Sequence, residues 1–152
     1  MLIVRSLDAE FRRLHERSLA LVAAIPANRL YWQPSEARAH AVYSCGAQLL
    51  RSAACVEQTC GGLTANLWDD PFEWTLPETL STPERVVEYL NEVEATRQHC
   101  FALIHGDADL SKEIVGPTGT PQTLFALLVA TLTRAARHQG RACATFEMMN
   151  DE

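Results

Sequence analysis

The feature that most constrains the fold is a long helical pattern of apolar residues near the C-terminus, from about Thr120-Pro121 to Met149. Residues spaced three or four positions apart lie on the same side of a helix. One broad sector of this segment contains Leu124, Leu127, Leu128, Thr131, Ala135, His138, Ala142 and Phe146. A helix of this kind buries its apolar sector against other helices, so we expect a helical domain.

Two helices are predicted in the first half of the chain. The first spans about Ser6–Ala24, and Pro26 ends it because proline cannot continue the hydrogen-bond pattern. The second spans about Ala39–Thr59, and the pair Gly61-Gly62 suits a left-handed C-terminal cap. The same helical spacing of apolar residues supports both predictions.

A third helix is predicted to begin after Thr82, an N-cap residue that is followed by Pro83 and Glu84, and to end near Gly106. The long connections then lie between helices one and two and between helices two and three. No segment has the sustained alternation that is typical of strands. The sequence therefore predicts an all-α fold, a four-helix bundle formed by one domain over residues 1–152.

Composition and charge exclude several classes of function. The net charge is −6 and no basic stripe is present, which argues against nucleic-acid binding. No run approaches the roughly 18–20 apolar residues of a membrane span, and the N-terminus has no signal-peptide core. We therefore expect a cytoplasmic protein. An odd number of cysteines without a CxxC pair favours free thiols, of which Cys55 and Cys60 flank the predicted end of helix two.

The candidate functional residues lie in helices two and four. Arg134 and His138 are four positions apart and thus share one side of helix four, beside its apolar sector. Arg51 lies on a side of helix two that is small and polar with few charges, as expected of a wet cleft. The loop Trp68–Trp74 is interpreted either as a lid or, as we favour, as a hydrophobic plug.

Five short motifs, in their order and spacing, resemble the DinB/YfiT-like superfamily of bacterial four-helix bundles. They are Ile25-Pro26 with Leu30-Tyr-Trp32-Gln-Pro34, Ser44-Cys-Gly46, Pro83-Glu-Arg85, Asp109-Leu110 with Gly119-Thr-Pro121, and Arg134-x-x-x-His138-Gln-Gly140-Arg141. The resemblance implies a centre of three histidines that holds zinc, nickel or a similar divalent ion. It also implies a metal-dependent hydrolase or S-transferase that acts with a low-molecular-weight thiol, and in many members a homodimer.

The chain departs from that pattern at two of the three ligand positions. Arg51 and Arg134 stand where the resemblance implies histidine, and only His138 matches. A guanidinium group has no lone pair to offer a metal and repels a cation. We therefore predict no cofactor and no family metal site, with His138 as the single remaining ligand. A shifted site that recruits His40, His99 or His105 is supported by no spacing.

Three functional classes remain open. In the first, Arg51, Arg134 and His138 converge and bind a small acidic molecule, such as a carboxylate or phosphate. In the second, the protein is a metal-dependent thiol S-transferase or hydrolase. In the third, it is a non-catalytic dimerisation module that uses the alanine-rich side of helix four. A competing interpretation of the arginines is that they pair with internal carboxylates, for which the candidates are Glu57, Glu94 and Glu147.

Overall fold

Helical segments account for most of the computed structural model, which describes residues 1–34, 44–71 and 77–151. Within these ranges lie four α-helices: α1 (Leu2–Ala24), α2 (Cys45–Ala65), α3 (Pro83–Ala102) and α4 (Leu124–Asn150). Short 3₁₀ turns span Ala27–Arg29 and Asp107–Ser111, and a small antiparallel hairpin pairs β1 (Glu113–Val115) with β2 (Pro121–Thr123). The prediction of an all-α fold is confirmed by this mostly helical structure.

Helix α2 lies at the centre of the packing. It contacts α3 on one side and α4 on the other, and α1 also contacts both α3 and α4. All four helices contribute to one core, in which Phe11, Leu50, Leu90 and Leu128 are buried. Most of α2 is buried, which explains why its sequence is rich in alanine and poor in charged residues.

A threonine caps the N-terminus of both α3 and α4, as predicted for α3 but at a later residue than predicted for α4. Thr82 caps α3 as predicted, because its Oγ1 accepts a hydrogen bond from the backbone N–H of Arg85 at 3.2 Å. In α4 the cap is Thr123, whose Oγ1 accepts from the Ala126 N–H at 3.0 Å. The predicted start at Thr120-Pro121 is wrong because Pro121–Thr123 is extended and paired with β1.

Helix α1 begins at Leu2, four residues before the predicted start at Ser6. The carboxylate of Asp107, which is distant along the chain, satisfies the donors of the first turn. It accepts hydrogen bonds from the Ile3 N–H at 3.2 Å and from the Val4 N–H at 3.0 Å. These bonds lower the pKa of Asp107 below its ordinary value. A cap supplied from over 100 residues away leaves no local pattern in the sequence.

The C-terminus of α2 differs from the prediction for a packing reason. Helix α2 continues to Ala65, and Asn66 rather than a glycine adopts the left-handed conformation, with φ of 55°. Gly62 instead lies in the helix against Trp68, and a Cβ atom at this position would be 2.1 Å from the indole ring. The helix starts at Cys45, capped by Ser44. The predicted start at Ala39 lies outside the described residues.

Helix α3 ends at Ala102, before the Gly106 that the sequence suggested. Among the helices in the described part of the chain, none combines the length and the apolar character that a membrane span requires.

Candidate functional site

His138 is held between α2 and α4 by a buried glutamine. Its Nδ1 atom lies 2.8 Å from Oε1 of Gln48, a side chain that is only 1% exposed. An amide oxygen can only accept, so Nδ1 carries the proton and donates this bond. In the neutral imidazole, Nε2 then keeps a lone pair. The Gln48 contact therefore fixes both the tautomer and the orientation of the half-buried ring.

Four arginines lie close enough to His138 for their charges to act on it. Burial is the largest cause that lowers the pKa of His138 below its ordinary value of 6.5. The positive charges that add to this effect belong to Arg141, Arg51, Arg137 and Arg134. The two predicted arginines thus lie in the same part of the molecule as His138: Arg51, on α2, is half-buried, and Arg134, on α4, is exposed. Whether this cluster binds a ligand stays a prediction.

Cys55 lies one helical turn after Arg51 and belongs to the same cluster. Burial raises the pKa of its thiol, while the charges of Arg134 and Arg51 lower it and that of Asp70 raises it. The net direction is upward, so the thiol stays protonated near neutral pH and is a weak nucleophile. Its relation to Arg51 is visible in the sequence as a spacing of four, whereas the contribution of Asp70 is not.

The described start of the Trp68–Trp74 loop is anchored to α2. The Gln58 side-chain amide donates to the backbone oxygen of Trp68 at 2.9 Å, and the indole N–H donates to Oδ1 of Asn66 at 3.0 Å. The indole ring also lies against Gly62. These contacts favour the plug interpretation over a mobile lid. Trp74 lies outside the described residues.

The donor set does not fit the zinc or nickel centre that the resemblance implies. Of the three ligand positions only His138 offers a lone pair, because guanidinium groups have none. Across residues 1–34, 44–71 and 77–151, no group of three or more histidine, cysteine, aspartate or glutamate side chains could hold a metal ion. His99 and His105 are exposed, and His40 lies outside the described residues.

The carboxylates proposed as internal partners of the arginines have other contacts. Glu57 accepts a hydrogen bond from the Tyr89 hydroxyl at 2.5 Å. Glu94 binds the guanidinium of Arg97 through two bonds of 2.9 and 2.6 Å. Glu147, on α4, is exposed. One of the three carboxylates thus does pair with a buried arginine, but that arginine is Arg97, which the sequence did not indicate as a site residue.

Arg97 is fully buried between α1 and α3. Its guanidinium group also contacts Asp8 at 2.7 Å and lies over the Phe101 ring at 5.1 Å. Burial lowers the pKa of Arg97, but the bonds from Glu94 and Asp8 outweigh this and raise it. The cavity beside it measures about 20 Å³, which is room for a water molecule and not for a substrate. The only signal in the sequence is the Glu94-x-x-Arg97 spacing, which places both residues on one side of α3.

Comparison of the chain with protein-family models, with curated proteins and with solved structures gives no match. What the structure shows is therefore the class, a mostly helical protein whose four α-helices share one core in the described residues. The family suggested by the motifs remains a proposal.

Proposed function

We propose that the protein is a DinB-like four-helix bundle that binds a small anion at Arg51, Arg134 and His138, without the metal of that family. The observation that carries this proposal is the imidazole of His138, which Gln48 orients and on which the charges of four arginines from two helices act. The order of the five sequence motifs supports the family assignment. The prediction that the long connections are the 1–2 and 2–3 ones is wrong, because the connection between α3 and α4, residues 103–123, is as long as the other two.

The physical basis of binding is charge complementarity. A guanidinium group presents a planar fork of donors that matches carboxylate and phosphate oxygens. His138 adds a titratable contact, since an anion near the ring reverses the electrostatic effect of the arginines and raises the pKa of His138. The protonated ring then donates from Nε2 to the ligand. Binding of the anion is thus coupled to uptake of a proton and becomes tighter as the pH falls.

Ligands of this class include small carboxylic acids, phosphate esters and low-molecular-weight thiols that carry an acidic group. A thiol of this kind would be bound through its acidic part, since no metal ligand set accompanies His138. Cys55 lies close enough to the same arginines for their charges to act on its thiol.

The proposal is tested by isothermal titration of the full chain with inorganic phosphate, sulfate and citrate. Replacing Arg51 and Arg134 with glutamine should weaken binding by about tenfold or more for each, the factor expected for one charge-assisted bond. Arg13→Gln is the matched control, because Arg13 is an exposed arginine that pairs with Glu10 on α1. Absence of binding by the unaltered chain, or an equal loss in the control, would contradict the proposal.

A homodimer is a second proposal, and the exposed surface of α4 favours it. Phe125 and Val129 are one turn apart and are 44% and 39% exposed. Ala126 and Ala130 beside them are exposed as well, so a second helix could approach closely. Sedimentation of the unaltered chain and of a Phe125→Lys, Val129→Lys double variant tests this. We expect a dimer for the unaltered chain and a monomer for the variant. A monomer in both cases would contradict the proposal.

A further inference from the structure

Two cysteines that the proposed anion site does not use meet inside the core. Cys60 belongs to α2 and Cys100 to α3, two helices that pack against each other, and they are 1% and 2% exposed. Each of these thiols shifts the pKa of the other, so the two interact, and both are free. A disulfide requires two cysteines whose Cα atoms lie about 4.4–6.8 Å apart, a separation that two packed helices can provide.

A groove connects this pair to the surface. Cys100 forms part of the wall of a groove of about 250 Å³, together with apolar side chains that include Leu103 and Leu124. The ion pair of Lys112 with Asp109, at 2.9 Å, belongs to the same lining. The volume is well above the roughly 10–15 Å³ that one water molecule requires, so a small solute fits. Cys100 therefore belongs to the wall of the groove, as does Leu63, which lies one helical turn after Cys60 on α2, whereas Cys60 itself does not line it.

The two thiols are not equivalent. The hydrogen bond from Cys60 lowers the pKa of Cys100 and, for the same reason, raises the pKa of Cys60. Burial opposes ionisation of both, the positive charge of Arg97 favours it in both, and Glu94 disfavours it in Cys60. The thiolate thus forms on Cys100, the residue that lines the groove.

We propose that Cys60 and Cys100 form a redox-active dithiol, which small hydroperoxides oxidise through the groove to a disulfide that links α2 to α3. The Cys100 thiolate attacks one peroxide oxygen, so that an S–O bond forms, the O–O bond breaks, and the departing oxygen leaves as water after taking up a proton. The Cys60 thiol then attacks the sulfenic sulfur of Cys100 and the second water departs. Overall two thiols and one hydrogen peroxide give one disulfide and two waters.

Peptide mapping of the unaltered chain after hydrogen peroxide and alkylation identifies the bond. Cleavage after arginine and lysine leaves Cys55 and Cys60 in one fragment, residues 52–85, so cleavage after glutamate is required. It separates these two cysteines at Glu57 and should yield residues 58–73 joined to residues 95–113. In the denatured chain the number of free thiols should fall from five to three, and dithiothreitol should restore it. A different linkage, or five unchanged thiols, would overturn the proposal.

Two variants assign the roles of the sulfur atoms. Cys60→Ser should abolish the linkage and leave a sulfenic acid on Cys100 that dimedone captures. Cys55→Ser, the matched control on the same helix, should keep the linkage and the fall by two thiols. Dimedone capture at the exposed Cys143 in place of Cys100 would contradict the assignment. The map of the unaltered chain needs no substitution, so it decides the linkage even where Cys60→Ser does not fold.

Discussion

Arginine has opposite surroundings on two sides of this protein. Between α1 and α3, Arg97 is buried and two carboxylates raise its pKa. Between α2 and α4, burial is the largest cause that lowers the pKa of His138, and the charges of four arginines lower it further. The first arrangement compensates a charge inside the core. The second concentrates positive charge at a partly exposed surface of a protein whose net charge is −6, which is where an anion would gain most.

The largest expected effect comes from removing the compensated charge. Arg97→Ala leaves Glu94 buried without its bidentate partner and should lower the free energy of unfolding by about 3–5 kcal/mol. Urea denaturation measures the difference. Arg13→Ala removes an exposed pair with Glu10 and should change stability by only about 0–1 kcal/mol. Similar small losses in both variants would remove the distinction between a structural arginine and a surface arginine.

The next largest effect concerns the packing of Trp68, at the start of the loop that contains Asp70, against Gly62 of α2. Gly62→Ala would place a Cβ atom 2.1 Å from the Trp68 ring and should destabilise the fold by about 1–3 kcal/mol, as overpacking does. The neighbouring Gly61→Ala meets only the Leu67 oxygen at 3.4 Å and should be neutral or stabilise the helix by up to about 1 kcal/mol.

Thermal and urea unfolding measure the stability of the two single variants and of the double variant Gly62→Ala, Trp68→Ala. The comparison separates the effect of packing from that of helix propensity. If the indole ring is the obstacle, the double variant loses less stability than the sum of its single changes. Equal effects of alanine at the two glycines would show that Trp68 does not determine the choice of glycine.

The helices could be predicted from the sequence because apolar periodicity is a local property, as the agreement on the N-cap Thr82 illustrates. The errors arise where a contact outside the helix determines its end. Asp107 caps α1 from more than 100 residues away, which no local pattern can show. The β1 strand and Trp68 lie within about ten residues of the segments they contact, but strand pairing and ring packing leave no helical periodicity that would indicate them.

Some features of the candidate site could likewise be predicted from the sequence, and others could not. The spacing of Arg134 and His138, with the resemblance that added Arg51, selected residues that do lie in one region. The bond from His138 to Gln48 spans 90 residues, and Gln48 is buried although it belongs to the small, polar side of helix two. The contact of Cys60 with Cys100 is likewise fixed only by how α2 packs on α3. Pairings across helices depend on rotation and register, which periodicity alone does not specify.

The smallest expected effect is a dependence of stability on pH through His138. Its pKa in the folded state is below 6.5, its ordinary value, so the unfolded chain binds more protons as the pH falls below 6.5. Stability is therefore fully present above that pH and is lost between it and the lower folded pKa. His138→Gln should flatten this part of the profile, whereas replacement of the exposed His99 should leave it unchanged.

The pKa of His138 itself, measured by NMR titration of the ring, tests the effect of the arginines. Arg134→Gln should raise this pKa because one positive charge is removed. Saturating phosphate should also raise it in the unaltered chain. A pKa that responds to neither the substitution nor phosphate would mean that the positive cluster does not act on His138, and the contrast with Arg97 would then be one of burial alone.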